Sequence, residues 1–169
     1  MPSPIAHALA GIGAGWIVNP AAASDRREVV RRSALFAAAA TAPDLDLLFG
    51  AHSGPTHGLG AAMMAGAMVW LCLRLAGSPQ PARGAAAAAL AYASHTLLDW
   101  LGTDSSPPIG IMALWPFSRD YFESGLHVFM AISRRYWLPE FWTYNLRALV
   151  RELIVLVPLL AILVWYQRK

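Results

Sequence analysis

From Leu153 to Tyr166 the chain carries no charge, with Arg151 ahead of the run and Gln167-Arg168-Lys169 behind it. Read as a helix over 148–166, this stretch approaches the roughly 20 apolar residues that cross a bilayer core. A segment in lipid must have every backbone N–H and C=O satisfied, and the helix is the only structure that does so within one segment. Pro158 kinks such a helix without excluding it. One helix committed to lipid constrains its neighbours. The expected fold class is therefore all-α: a compact, membrane-integral bundle of about five to six helices in a single domain, 1–169.

The rest of the sequence agrees with that expectation. Apolar residues make up 57% of the chain and charged residues only 14%, an excess that a soluble domain of this size rarely shows. Alanine raises hydropathy without needing lipid, so a soluble Ala-rich bundle is the competing reading; several near-spanning segments favour the membrane. Ser3-Pro4 opens a helix over 5–18 and Asn19-Pro20 ends it. An arginine-bearing linker, 20–32, leads to a second helix at about 28–42, stopped by Pro43. Helices follow at 58–76 and 83–101, separated by the turn Gly77-Ser-Pro-Gln-Pro81. Gly60, Ala61, Ala65 and Gly66, with the alanines of 85–89, permit close helix approach.

The segment 102–145 differs. It begins as a loop and continues through Trp115-Pro116-Phe117 to an expected amphipathic helix at 121–133, on which Glu123 and His127 stand four apart. A basic and aromatic belt follows, with Arg134, Arg135, Tyr136, Trp137, Phe141, Trp142 and Tyr144. That composition suits a lipid headgroup interface; a rigid loop with an aromatic core is the alternative. The chain thus divides into a motif-bearing core (1–118), an interfacial segment (119–147) and a C-terminal transmembrane helix (148–166).

Acids and histidines are scarce here, yet Pro43-Asp-Leu-Asp-Leu-Leu-Phe-Gly-Ala-His-Ser-Gly-Pro-Thr-His57 gathers Asp44, Asp46, His52 and His57. His95 and Asp99 lie one helical turn apart, so both face one way. Carboxylate and imidazole are the donors of zinc, manganese and iron sites. Threading the helices alternately brings His7, the 44–57 cluster and the 95/99 pair to one end of the bundle. The turns at the other end are basic. By the positive-inside rule 20–32, 74–83 and Arg168-Lys169 are cytoplasmic, and the metal-binding face points outward.

Other classes fit less well. The arginines sit at segment ends rather than in a stripe with aromatics, so no nucleic acid is expected. Cys72 is the only cysteine and forms no internal disulfide. The first apolar segment lacks a basic leader, so no cleavable signal is expected. There is no Gly-rich phosphate loop and no Ser-His-Asp arrangement. A transport path would put polar ligands mid-membrane, whereas these fall at helix ends.

His7, Pro43-Asp44-Leu-Asp46, His52-Ser-Gly-Pro-Thr56-His57, His95-x-x-x-Asp99 and Thr103…Leu114-x-Pro116 together resemble the YdjM-like family of membrane-bound metal-dependent hydrolases, over roughly residues 2–118. The family pattern reads His-Arg-x-x-Thr-His-Ser; this chain has Ser53 for the arginine and Gly58 for the serine. A looser similarity extends to zinc-dependent phospholipases C and P1-type nucleases. The resemblance implies a multi-pass protein of a bacterial inner membrane that hydrolyses a phosphoester, of a small molecule or a lipid head group, with metal-activated water. The expected ligands are His7, Asp44, His57, His95 and Asp99, for one or two divalent ions, zinc before manganese or iron. Asp46 and His52 are expected as further ligands or the general base, or Asp46 as the group that orients a histidine. Thr56, Thr103 and Asp104 are expected behind the ligands, and Arg119 and Arg134 to bind the substrate in place of the missing arginine. The alternative is a non-catalytic membrane protein with a structural metal site. Oligomeric state is left open.

Overall fold

The computed structural model describes residues 1–20, 25–50 and 52–169. Among them are five α-helices: α1 (Pro4–Val18), α2 (Arg26–Thr41), α3 (Leu59–Leu75), α4 (Pro81–Leu101) and α5 (Phe141–Gln167). Two 3-10 segments, Ala42–Phe49 and Pro55–His57, join α2 to α3. No strand occurs among the described residues, only the isolated bridges Gly102–Phe129 and Ile111–Phe122. The fold is all-α.

Local chemistry sets most helix ends. Ser3 caps α1, its Oγ accepting from the Ala6 amide, and Pro4 occupies the first turn. Asp25 caps α2 through the Glu28 amide, and Glu28 then pairs with Arg31 and Arg32. Most of the arginine-rich linker expected at 20–32 is thus the first turns of α2. Its residues 21–24 lie outside the described residues.

α4 is the central helix, packed against α1, α2 and α3, while α5 packs on α1. Small residues make the close contacts. A Cβ on Gly11 would overlap the Cβ of Ala40 and come within 2.8 Å of the Phe36 carbonyl oxygen. A Cβ on Gly66 would sit 2.8 Å from the Cβ of Ala89. α1 therefore lies almost backbone to backbone on α2, and α3 on α4, as small residues allow in membrane bundles.

Of the described helices, α5 alone is both long and apolar enough to cross a membrane; α1 and α3 are apolar but shorter. At 27 residues α5 begins earlier than the 148–166 expected, taking in the end of the interfacial segment. It reaches about 40 Å at 1.5 Å per residue. Its flank is open, with Ile154, Leu159, Ile162 and Trp165 each more than half exposed.

The helix expected at 121–133 does not form. Gly125 (φ +68°) and His127 (φ +47°) lie in the left-handed region, which breaks helical continuation. The segment instead runs extended along the end of α4: Ser124 N–H donates to Trp100 O, Val128 N–H to Leu101 O and Thr103 N–H to Phe129 O. Phe129 is buried beside Ala6, Leu98 and Leu156. In the belt, Tyr136, Trp137 and Trp142 are exposed, so they form no aromatic core.

Candidate metal centre

One face of α4 organises the centre. Tyr92, His95, Thr96 and Asp99 recur at three- and four-residue spacing along an otherwise Ala-rich helix. The Tyr92 hydroxyl donates to Thr56 O and the Thr96 hydroxyl to His57 O, each at 2.8 Å, which fixes the second 3-10 segment. Sequence reasoning missed Tyr92 and Thr96, although the polar stripe that carries them was available to it. His95 and Asp99 point from the same face into the bundle and are fully or almost fully buried.

Five side chains converge there. His95 Nε2 lies 2.9 Å from Asp99 Oδ2 and 3.8 Å from Asp44 Oδ1. His57 Nε2 lies 3.6 Å from Asp99 Oδ2 and 3.7 Å from Asp44 Oδ1. His7 Nε2 lies 3.3 Å from Asp99 Oδ1, and its ring stacks on His95 at 3.8 Å. His7, His95 and Asp99 form one group of ligand geometry; Asp44 and His57, joined by His52 from outside the five, form an adjoining one.

Tautomers follow from the outer contacts. His95 Nδ1 is 2.8 Å from Ala40 O, a pure acceptor, so it carries the proton and Nε2 presents a lone pair. The Thr56 hydroxyl donates to Asp46 Oδ2 at 2.8 Å, leaving its oxygen to accept from His57 Nδ1 at 3.1 Å. Asp46 Oδ2 also faces His57 Nδ1, at 3.3 Å. His57 Nδ1 is therefore the protonated nitrogen there, and Nε2 turns toward Asp44 and Asp99. Asp46 thus sits behind His57, on the side of the ring away from Asp44 and Asp99, where a carboxylate would orient a histidine.

The buried atoms His57 Nε2, His95 Nε2 and both carboxyl oxygens of Asp99 have no hydrogen-bond partner among the described residues. Lone pairs of nitrogen and carboxylate oxygen facing each other in a dry interior repel unless a cation or proton lies between them. This is the donor set of a divalent metal, and the residues fit one. Burial disfavours a charged His57 ring, but Asp44 and Asp46 outweigh it and raise its pKa to about 9. Burial works against the charge of Asp46 too, yet hydrogen bonds from His57 and Thr56 keep its pKa below the usual carboxylate range.

The remaining expected residues separate into two groups. His52 is half-buried, its Nδ1 3.4 Å from Asp46 Oδ1 and its Nε2 3.3 Å from Arg134 Nη2. Arg134 and His52 line a cleft of about 640 Å³ with Asp44, Asp104, Arg135, Leu138, Phe141 and Tyr144. Arg134 thus brings a guanidinium beside the segment where Ser53 replaces the family's arginine. Arg119 is exposed and outside the cleft lining. Thr103 donates to Phe129 O, and the Asp104 carboxylate accepts from the Ser106 and Gly110 amides, so both hold the loop beyond α4. His127 is exposed and pairs with Glu123 at 3.7 Å and with Thr103.

Gly58, the other departure from the family pattern, has a local cause: a Cβ there would lie 2.8 Å from Met112 O and 2.9 Å from the Trp115 Cβ. The loop that closes on this segment leaves no room for a side chain.

A family model described as YdjM inner membrane protein matches residues 1–169. The chain belongs to the YdjM family. No curated protein and no solved structure matches it. As a YdjM-family protein it has a membrane location, in keeping with the length and apolar flank of α5. Its His/Asp centre fits a membrane protein that holds a metal ion.

Proposed function

We propose that this YdjM-family protein is a membrane-bound, metal-dependent hydrolase of phosphoesters. The observation that carries the reading is the convergence of unpartnered nitrogen and oxygen atoms of His57, His95 and Asp99 beside an open cleft. His7, Asp44, His57, His95 and Asp99 would hold one or two divalent ions, zinc by donor type with manganese or iron also accommodated. Such an ion supplies Lewis-acid charge to an ester oxygen and acidifies water.

The chain's own groups supply the rest. Asp44 is a quarter exposed and lines the cleft, an arrangement that supports catalysis over the closed coordination of a structural site. Arginine only donates, so His52 Nε2 accepts from Arg134 and its Nδ1 proton goes to Asp46. When Arg134 turns to an anionic phosphate, His52 Nε2 is released to take a proton from the attacking water. Thr56 and Asp46 keep His57 in its ligating tautomer.

A lipid phosphoester suits the cleft best. Its wall includes Phe141 and Tyr144 from the first turn of the spanning helix, together with Leu47 and Leu138. Exposed Leu48, Phe49 and Phe117 offer further apolar contact with a bilayer. In this reading the bundle is multi-pass and its metal face lies outside the cytoplasm, opposite the basic turns.

The test is the metal content of detergent-purified protein by elemental mass spectrometry, wild type beside His95→Ala and Asp44→Ala. Near-stoichiometric metal in wild type and its loss in both variants are expected, followed by phosphoester turnover that Arg134→Ala weakens. Wild type that takes up no zinc, manganese or iron on reloading sinks the reading.

A further inference from the structure

Glu152 is the only acid in α5, and it is fully buried. An ionisable side chain inside a spanning helix requires partners. Here both come from one residue of another helix: the Ser3 backbone N–H donates to Glu152 Oε1 at 2.7 Å, and the Ser3 hydroxyl donates to Oε2. Ser3 is the cap of α1, and its Oγ also accepts from the Ala6 amide. The carboxyl group of α5 thus sits on the positive end of α1, where negative charge is favoured.

His7 lies one turn further along α1, its N–H bonded to Ser3 O. Leu156, one turn beyond Glu152, packs in the cluster of Ala6 and Leu98. Apolar contact of this kind sets the spacing of two helices but tolerates sliding. Gly11, Gly13 and Gly15 seat α1 on Ala40, Leu160 and Phe36 further along the helix, beyond the N-terminal turn that carries His7. The paired hydrogen bonds at Ser3 are directional and fix that turn. A metal ligand needs placement within about 0.5 Å.

We propose that Glu152 is a positioning residue for His7: it fixes the N-terminal turn of α1 and acts on metal binding through His7. The proposal rests on the reading of the centre as a metal site. It is tested by a double-mutant cycle on the full chain in detergent, with zinc affinity read by competition against a chromophoric chelator. Glu152→Gln alone should weaken zinc binding about tenfold, the lower end for loss of a supporting hydrogen bond. His7→Ala should weaken it as well, and the double variant should bind no more weakly than His7→Ala.

A double variant weaker than His7→Ala by the full Glu152→Gln factor overturns the proposal, because Glu152 then acts on the bundle generally. Unchanged affinity in Glu152→Gln overturns it too. Where Glu152→Gln fails to give a folded, monodisperse protein, Ser3→Ala takes its place in the cycle, removing the donor to Oε2 while leaving the acid bonded to the backbone. Wild type that binds no zinc refutes the metal centre itself, a failure separate from additivity in a protein that binds it.

Discussion

Asp46→Asn separates a ligand from the group that orients one. The Asp46 side chain is only 8% exposed and accepts from the Thr56 hydroxyl at 2.8 Å, while facing His57 Nδ1 at 3.3 Å and His52 Nδ1 at 3.4 Å. Asparagine has the same shape but only one accepting atom. Its NH2 must meet an N–H of one histidine or the hydroxyl of Thr56, and a buried donor left unmatched costs about 1–3 kcal/mol. His57 answers by changing tautomer or turning, and either moves its Nε2 lone pair off the centre. Loss of a carboxylate behind a ligating histidine weakens metal binding about 10–100-fold, or roughly 1.4–2.8 kcal/mol. Chelator competition in detergent should therefore show weakened but saturable zinc binding for Asp46→Asn, whereas Asp99→Asn, which removes an inner carboxylate, should lose stoichiometric binding. Equal losses in the two variants would falsify the assignment of Asp46 behind His57 and make it a ligand.

Protons and metal should compete at His57. Its folded pKa of about 9 lies above the ordinary histidine value of 6.5, so the protonated ring stabilises the metal-free fold fully below about pH 6.5, and that contribution is lost as pH rises through 9. Thermal melting of metal-free protein should fall across this window, zinc should flatten the profile, and zinc added at pH 7 should release protons measurable in weak buffer. Gly11→Ala should destabilise the bundle by about 1–3 kcal/mol through overpacking and also weaken zinc binding, since the contacted Ala40 carries the carbonyl that orients His95; a melting temperature within a degree of wild type would contradict the close α1–α2 contact. Arg134→Ala should keep full metal content while raising KM for an anionic phosphoester, read by steady-state kinetics.

The legible parts of the molecule were those that local chemistry dictates. Pro4, Asn19-Pro20, Pro43 and the Gly77–Pro81 turn punctuate the first four helices within a residue or two of the observed bounds. The His95/Asp99 pair was legible because helical spacing alone puts both on one face. Residues 121–133 misled because Phe122, Leu126 and Phe129 fall at helical intervals, while Gly125 and the pull of the α4 end on the backbone favour extended chain. Glu152 was missed, although the helix expected over 148–166 contains it, because the uncharged run that marks a spanning segment begins at the next residue. The helix in fact starts at Phe141 and turns Glu152 inward toward a serine remote in sequence. The division of labour between Asp44 and Asp46 was equally illegible, since it depends on which histidine nitrogen each carboxylate meets.

The hydrogen bonds between Ser3 and Glu152 join residues 149 positions apart. During synthesis, α1, the 3-10 segment and α4 emerge in turn, so every candidate ligand has left the ribosome well before the helix that anchors α1. Until translation reaches α5 the nascent chain presents the candidate ligands without the two hydrogen bonds that join the α1 cap to Glu152. If the centre holds a metal as proposed, a product truncated before α5 would carry all the candidate donors yet bind the ion more weakly than the full chain.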